Sequence, residues 1–270
     1  MFLTLLDIPL SATATNYTAV YETLYVSAGY HSGTRDAHGG PLAKLIKRSF
    51  REEVQSVLDV GCSHGALVSQ LWQDGVTASG TDVSPTAVRR AYEERCKPEG
   101  KCTAQLSGGA PPAGVLKNSS FSGRPRCVGD CFRVGSAIGL PWPDNSFDAV
   151  VSSDMLEHIA EEDVPAAVRE FHRVSRKYVL LLIAPRTEGN KVPANRLKAL
   201  ARKAISDGDT SSHSQQLAAV DTLHLTVRNV SWWSRAFVEH ARFELLVARS
   251  GEKHDIQLRK LDVGELRGAP

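Results

Sequence analysis

Short apolar runs alternate with amphipathic stretches between residues 56 and 183, and this alternation limits the possible folds more than any other feature. Five runs are rich in branched or aromatic residues, as expected of strands buried on both faces. They are residues 56–60, 76–81, 132–134, 147–152 and 178–183. The stretches between them carry apolar residues on one helical face, for example Leu67, Val68, Leu71 and Trp72. The pattern predicts repeated strand and helix units that build a parallel α/β sheet.

The length of 270 residues suits one embellished α/β domain better than two complete domains. We expect residues 1–50 to form an N-terminal cap segment and residues 51–270 to form the domain. An irregular insertion is predicted at about 98–126, because this stretch is rich in Gly, Pro, Asn and Ser and its apolar residues show no regular spacing. Residues 188–216 are also polar and are predicted to form a lid or a solvated connection. A helix through Trp232 and a strand at 243–248 would extend the sheet.

The charge balance does not indicate a nucleic-acid partner. Thirty-two Lys and Arg residues against 30 Asp and Glu residues leave a net charge of +2, too small for a broad positive field. The first ten residues lack the positively charged start of a secretory signal, and no apolar run approaches the length of a membrane span. We therefore expect a cytoplasmic protein without a membrane partner, and no nucleic-acid partner is indicated.

Five cysteines, an odd number, argue against a fully paired disulfide framework and favour reduced thiols. Four of them bracket the predicted insertion, namely Cys96, Cys102, Cys127 and Cys131. Their spacings lack the closely spaced CxxC pairs of common zinc sites. We therefore predict no metal site.

Residues 56–65 combine a buried strand, a tight turn with two glycines and the start of a helix. In a doubly wound sheet this turn lies at the carboxyl edge, where Gly61 and Gly65 let the backbone approach a nucleotide closely. Asp82 ends the next strand, where its carboxylate can accept hydrogen bonds from both hydroxyls of a ribose. Taken singly, Asp59 could cap a turn and Asp82 could be the N-cap acid of the next helix. Together the two features predict a nucleotide-containing ligand.

Four motifs occur in order between about residues 54 and 185. They are LDVGCSHG at 58–65, DVS at 82–84, LPWPDNSFD at 140–148 and EHI at 157–159. With them the chain resembles the class I S-adenosylmethionine-dependent methyltransferases, the large group with patterns such as LDVGCGTG, LPFPDNSFD and EHI. The resemblance implies a Rossmann-like, doubly wound, mostly parallel seven-stranded sheet flanked by helices. It also implies S-adenosyl-L-methionine as the cofactor and methyl transfer as the activity, without identifying the acceptor.

The resemblance further implies cofactor-binding roles for Asp59, Gly61, Cys62, Ser63, Gly65, Asp82, Val83, Ser136, Ala137, Asp154 and Met155. By this resemblance Asp59 holds the methionine amino group, directly or through water, and the backbone of residues 61–65 flanks the methionine and the ribose. Asp82 binds the ribose, Val83 packs against adenine, and Ser136 and Ala137 contact the polar edge of adenine. Asp154 and Met155 border the sulfonium and the acceptor.

Two residues depart from the family pattern. Ser63 replaces the usual middle glycine of the turn, and Ser136 stands where the family commonly has an aspartate for the adenine amino group. Both departures could weaken cofactor binding, although serine can still accept one hydrogen bond. The turn tolerates a serine if its backbone angles are compatible.

His158 is the best single candidate for a catalytic base, because a histidine near the acceptor can take a proton at physiological pH. Alternatively, Glu157 and His158 only fix the loop after the fourth strand. A polar cluster before the core contains His31, Arg35, Asp36 and His38, and it either contributes to the substrate site or forms a solvated loop. The segment 224–228, before Trp232 and Trp233, is another candidate for the acceptor wall, although the tryptophans also suit a core. A small-molecule or glycan acceptor is favoured, since no basic nucleic-acid module is present.

Two other functions suit the same sheet. A nicotinamide-dependent oxidoreductase also needs glycines after the first strand and an acid after the second. However, Ser63 and Ala66 occupy the second and final glycine positions of its G-x-G-x-x-G fingerprint. A non-catalytic protein that binds S-adenosylmethionine would keep the fold, and the departures at Ser63 and Ser136 are compatible with it.

Overall fold

The computed structural model describes residues 17–27, 39–50, 53–96, 102–105, 129–186, 191–208 and 222–261. Its strands are β1 (Ser56–Val60), β2 (Thr77–Asp82), β3 (Cys102–Gln105), β4 (Gly129–Val134), β5 (Phe147–Ser153), β6 (Ser175–Ile183), β7 (Phe243–Arg249) and β8 (His254–Lys260). They form one sheet in the order β3-β4-β2-β1-β5-β6-β8-β7. Strands β1 to β6 run parallel, and β8 is antiparallel to both β6 and β7.

This topology confirms the Rossmann-like α/β class and the five predicted parallel strands. The expected seven-stranded sheet is present, and the short strand β3 adds an eighth at one edge. Strand β3 lies inside the insertion predicted as irregular, and it pairs with β4. The insertion is therefore regular over those four residues, because their backbone completes its hydrogen bonds on the open edge of β4. Residues 97–101 and 106–128 lie outside the described part.

Helices cover both faces of the sheet. They are α1 (Tyr17–Ser27), α2 (Gly39–Phe50), α3 (Ala66–Gln73), α4 (Pro85–Ala91), α5 (Val164–Val174), α6 (Lys191–Ser206) and α7 (Val230–His240). Successive residues of a strand point to opposite faces, so β1 serves two cores. Leu58 lies in a core with residues of α5 and α7, whereas Val57 lies in a core with residues of α2 and α3.

The thiols differ from the prediction of reduced cysteines. Cys96 and Cys131 are disulfide-bonded, and both are fully buried. Cys62 is free and buried. An odd number of cysteines requires one unpaired thiol but does not exclude pairing of the others, which is why the count misled.

The predicted lid region contains helix α6, whose Leu197 and Ala201 pack in one small core with Leu24 of α1. Residues 187–190 and 209–221 lie outside the described ranges, and a lid movement stays a prediction. Among the helices that are described, none combines the length and the apolar character needed to cross a membrane.

Candidate active site

A cavity lies at the carboxyl ends of β1, β2, β4 and β5, with helix α1 along one side. The following residues singled out from the sequence line it: Asp59, Gly61, Cys62, Ser63, Asp82, Val83, Ser136, Ala137, Asp154, Met155 and His158. Gly65 does not line the cavity. The parallel arrangement explains the grouping, because residues that follow the ends of neighbouring parallel strands meet at one edge of the sheet.

The glycine turn after β1 has a backbone that favours glycine. Gly61 has φ of +84°, and a Cβ there would lie 2.6 Å from Cγ of Met155. Gly65 has φ of +71°, and a Cβ there would lie 2.6 Å from the Phe132 ring. Gly61 therefore lets the Met155 side chain pack directly against the turn, and Gly65 does the same for the Phe132 ring. Ser63 adopts a left-handed φ of +48°, so the departure from the family glycine is accommodated with some backbone strain.

Asp82 is tied to this turn. Its Oδ2 accepts a hydrogen bond from the Ser63 amide at 2.9 Å, and its Oδ1 accepts one from the Ser84 amide at 3.0 Å. The N-cap of α4 is Ser84, whose hydroxyl accepts from the Ala87 amide. Asp82 is thus not the N-cap acid of α4. Each of its oxygens keeps a lone pair for a ligand.

Two buried carboxyl groups with raised pKa values, Asp59 and Asp82, line the cavity. Burial, and next the neighbouring Asp82 carboxylate, raise the pKa of Asp59 to about 7. Burial also raises the pKa of Asp82 to about 6, although the Ser84 and Ser63 amides oppose this rise. Neither Lys nor Arg is among the described residues that line the cavity. A cationic ligand would therefore stabilise the ionised form of both acids.

Helix α1 closes one side of the cavity with Tyr17, Tyr21 and Tyr25. Its Glu22 holds the helix in place, since the carboxylate accepts hydrogen bonds from the Ser84 hydroxyl at 2.6 Å and from the Thr86 amide at 3.0 Å. Burial opposes the charge of Glu22, yet these bonds keep its pKa below the ordinary value.

Sequence reasoning missed these tyrosines. Their spacing of four residues places them on one helical face, and that was the available signal. The cluster at His31, Arg35, Asp36 and His38 lies outside the described residues, so its suggested role stays a prediction.

The loop after β5 contributes Asp154, Met155 and His158 to the cavity lining. Asp154 has φ of +53° and forms an ion pair with Lys253. His158 is 7% exposed, and its Nδ1 lies 3.0 Å from the Leu223 carbonyl oxygen. A carbonyl can only accept, so Nδ1 donates and the neutral ring carries its lone pair on Nε2.

The predicted segment 224–228 packs against this loop. The amides of Leu225 and Thr226 donate to the Glu157 carbonyl at 2.8 and 3.0 Å, and the ring centroids of His224 and His158 are 4.8 Å apart. Burial raises the pKa of the Glu157 carboxyl to about 8. Trp233 is fully buried in the core, which agrees with the packing alternative for that residue.

Comparisons with known proteins indicate a methyltransferase. Residues 58–183 match the family model described as "Methyltransferase domain". Ajmaline N-methyltransferase of Rauvolfia serpentina is 24% identical over 243 residues, which cover 82% of this chain and 74% of that protein. Norajmaline N-methyltransferase of the same organism is 28% identical over 153 residues, which cover 56% of this chain and 43% of that protein.

Solved structures share the fold. Magnesium protoporphyrin IX methyltransferase from Synechocystis PCC 6803 with bound SAH gives a TM-score of 0.55 at 14% identity, covering 90% of this chain and 99% of that one. A SAM-dependent methyltransferase from Methanosarcina mazei gives a TM-score of 0.51 at 20% identity, covering 80% of this chain and 97% of that one.

Proposed function

This chain is a class I S-adenosylmethionine-dependent methyltransferase, and we propose that it methylates a small molecule bound between helix α1 and the loop after β5. The observation that carries the proposal is the placement of two buried acids, Asp59 and Asp82, on one cavity without a basic side chain among its described lining residues. When bound, S-adenosylmethionine supplies a methyl group on a positively charged sulfur.

The residues of the cavity fit that cofactor. Asp59 would hold its ammonium group, and the positive charge would offset the burial that raises the pKa of Asp59. Asp82 would accept hydrogen bonds from the ribose hydroxyls with the lone pairs that the Ser63 and Ser84 amides leave. The Gly61 backbone lines the cavity and has no side chain of its own, so it would let the methionine portion lie close to the turn.

The remaining cofactor contacts are assigned by position. Val83, Ser136 and Ala137 would surround the adenine, with the Ser136 hydroxyl as the polar group at that end. Met155 and Asp154 would border the sulfur, because both line the cavity next to Gly61 and near His158. Gly65 would act through the turn rather than by contact. These assignments place the methyl group toward the end of the cavity that faces His158.

The acceptor end favours a small molecule with an apolar or aromatic body over a glycan. Tyr21, Met155 and Ile159 line it together with the polar Asp154 and His158, and most of the cavity lining is apolar. A glycan site would need several directed polar side chains. The relative named ajmaline N-methyltransferase also supports a small-molecule acceptor with a nitrogen.

His158 would serve as the base for an acceptor that must lose a proton. Its Nε2 carries the lone pair in the tautomer selected by the Leu223 carbonyl. The chain would otherwise act by holding the acceptor in line with the methyl group, since proximity and orientation supply most of the acceleration in such a transfer. The acceptor gains the methyl group, and His158 gains the proton that the acceptor loses.

The proposal is tested by incubating the purified chain with S-adenosylmethionine and a panel of aromatic amines, phenols and oligosaccharides. Mass spectrometry of the products should show methylation of an amine or a phenol. His158→Ala should lower kcat for that acceptor by roughly 100-fold or more at neutral pH, while the exposed-site control His240→Ala stays unchanged. Cofactor binding without any product would favour the non-catalytic alternative, and methylation of oligosaccharides alone would contradict a small-molecule acceptor.

A further inference from the structure

Three side chains with metal-binding atoms meet beside the acceptor end of the cavity. They are Glu157, His158 and His224, and one ligand atom from each lies within 4.8 Å of the other two. All three are buried, with exposed fractions of 0%, 7% and 7%. Two imidazoles and a carboxylate form a donor set typical of divalent transition-metal sites.

Both histidines are held in the tautomer that a metal ion needs. Nδ1 of His158 donates to the Leu223 carbonyl, and Nδ1 of His224 donates to the Arg186 carbonyl. Each ring therefore carries its lone pair on Nε2 when neutral. A backbone carbonyl that fixes the other ring nitrogen is the usual second partner of a metal-binding histidine.

The hydrogen bonding of the Glu157 carboxylate gives independent support for a ligand at this cluster. Its Oε1 accepts one hydrogen bond, from the Ala184 amide at 3.2 Å, and lies 3.9 Å from Nε2 of His224. Its Oε2 is buried and has no hydrogen-bond partner in the described part of the chain. A buried carboxylate oxygen without a partner is costly, and such an atom calls for a ligand, a proton or an ion.

From this geometry we infer that Glu157, His158 and His224 bind a divalent transition-metal ion such as Zn²⁺. Imidazole ligands favour zinc or cobalt over Mg²⁺, which prefers oxygen. Binding would draw the three ligand atoms from within 4.8 Å to about 3.4 Å of one another, as bonds of about 2.1 Å require in a tetrahedral site. This inference goes against the sequence prediction of no metal site, which considered the cysteines alone.

The site would act on the acceptor. Because His158 also lines the cavity, a fourth coordination position would be open to a hydroxyl oxygen of the acceptor. Coordination would lower the pKa of that hydroxyl, so that its proton could pass to water while the oxygen keeps a lone pair for the methyl group. The role of His158 as a base then belongs to the metal-free protein. Metal binding itself does not depend on the proposed methyl transfer.

The test uses the full chain after dialysis against a chelator. Titration with Co²⁺, followed by its visible ligand-field absorption, should show one ion per chain with the intensity of a four- or five-coordinate site. Calorimetric titration with Zn²⁺ should give the same stoichiometry. Glu157→Gln and His224→Ala should each weaken binding at least about ten-fold, while the control His240→Ala, at an exposed histidine, should bind as the parent chain does.

Binding of S-adenosylmethionine by Glu157→Gln and His224→Ala serves as the folding control, because neither residue lines the cofactor cavity. Should either variant fail to fold, Zn²⁺ must raise the thermal midpoint of the parent chain and a chelator must reverse that rise. Absence of stoichiometric Co²⁺ and Zn²⁺ binding in the parent chain would overturn the inference. Equal affinity in the parent chain and both folded variants would overturn it as well.

Discussion

The backbone amide of Ser63 donates a 2.9 Å hydrogen bond to Oδ2 of Asp82, so the glycine turn after β1 and the acid that ends β2 form one unit. The turn is also held by Thr81, whose carbonyl accepts from the amides of Gly61 and Cys62 at 2.8 and 3.0 Å. A change in the turn should therefore reach Asp82 and, with it, the affinity for the cofactor.

Gly61→Ala should weaken both stability and cofactor binding. A methyl group at φ of +84° would be strained and would approach Cγ of Met155 to 2.6 Å. We expect the free energy of unfolding to fall by about 2 kcal/mol and the affinity for S-adenosylmethionine to fall roughly ten-fold. The matched control is Gly40→Ala in α2, where a Cβ meets nothing within 4 Å and stability should stay the same or rise slightly. Equal effects of the two substitutions in chemical denaturation would contradict the account of the turn.

Cofactor affinity should rise with pH. The pKa of Asp59 is raised to about 7 and that of Asp82 to about 6, so both carboxylates are largely protonated at pH 5.5 and largely ionised at pH 8. The ionised forms are the ones that hold an ammonium group and accept from two hydroxyls. We expect the Kd for S-adenosylmethionine to fall by at least roughly ten-fold between these pH values. Asp59→Asn should flatten this dependence, and a parent chain whose Kd does not change with pH would count against ligand contacts by these acids.

Glu22→Ala should release helix α1 from the cavity. The substitution removes the acceptor of the Ser84 and Thr86 hydrogen bonds and leaves partly buried donors without a partner. We expect the free energy of unfolding to fall by about 1–3 kcal/mol and cofactor affinity to fall with it. Glu239→Ala, at an exposed position of α7, is the control and should change neither quantity. If stability fell while cofactor affinity stayed unchanged, α1 would not contribute to cofactor binding.

Asp148→Ala should destabilise the fold without weakening cofactor binding. Its Oδ2 accepts from the Gln55 and Ser56 amides, and Arg176 lies 3.0 Å from its Oδ1. Burial opposes the charge, yet these partners keep the pKa of Asp148 below its ordinary value. Its stabilising contribution is therefore present above the unfolded-state pKa of about 4 and is lost as the pH falls through the lower folded value.

The loss at neutral pH should be about 2–3 kcal/mol, measured by denaturant unfolding. Asp148 lies near the amino end of β5, away from the cavity at the carboxyl end, so the Kd for S-adenosylmethionine should not change. The surface aspartate Asp144, whose side chain is 71% exposed, is the control, and Asp144→Ala should cost less than about 1 kcal/mol. A large drop in cofactor affinity for Asp148→Ala would contradict a purely structural role.

The parts of the site that could be predicted from the sequence are local in the chain. Gly61 and Ser63 follow β1 directly, and Asp82 ends β2, so the strand pattern alone places them at one sheet edge. The same logic places Met155 and His158 after β5.

The remaining parts depend on contacts between distant segments. Glu22 meets Thr86 across 64 positions, and Leu223 meets His158 across 65. The residue pattern within either segment does not predict these contacts. They arise because α1 and the segment before α7 pack on the completed sheet. The Glu157 and His224 pair was missed for this reason, and so was the contribution of α1 to the cavity.

The central claim is tested most directly by calorimetric titration of S-adenosylmethionine into the purified chain and into Asp82→Ala. The parent chain should bind one cofactor per chain, and Asp82→Ala should bind roughly 30-fold or more weakly, because two charge-assisted hydrogen bonds are lost. Asp207→Ala, at a surface aspartate paired with Lys203, should bind as the parent chain does. Failure of the parent chain to bind, or equal affinity of the parent chain and Asp82→Ala, would contradict the account.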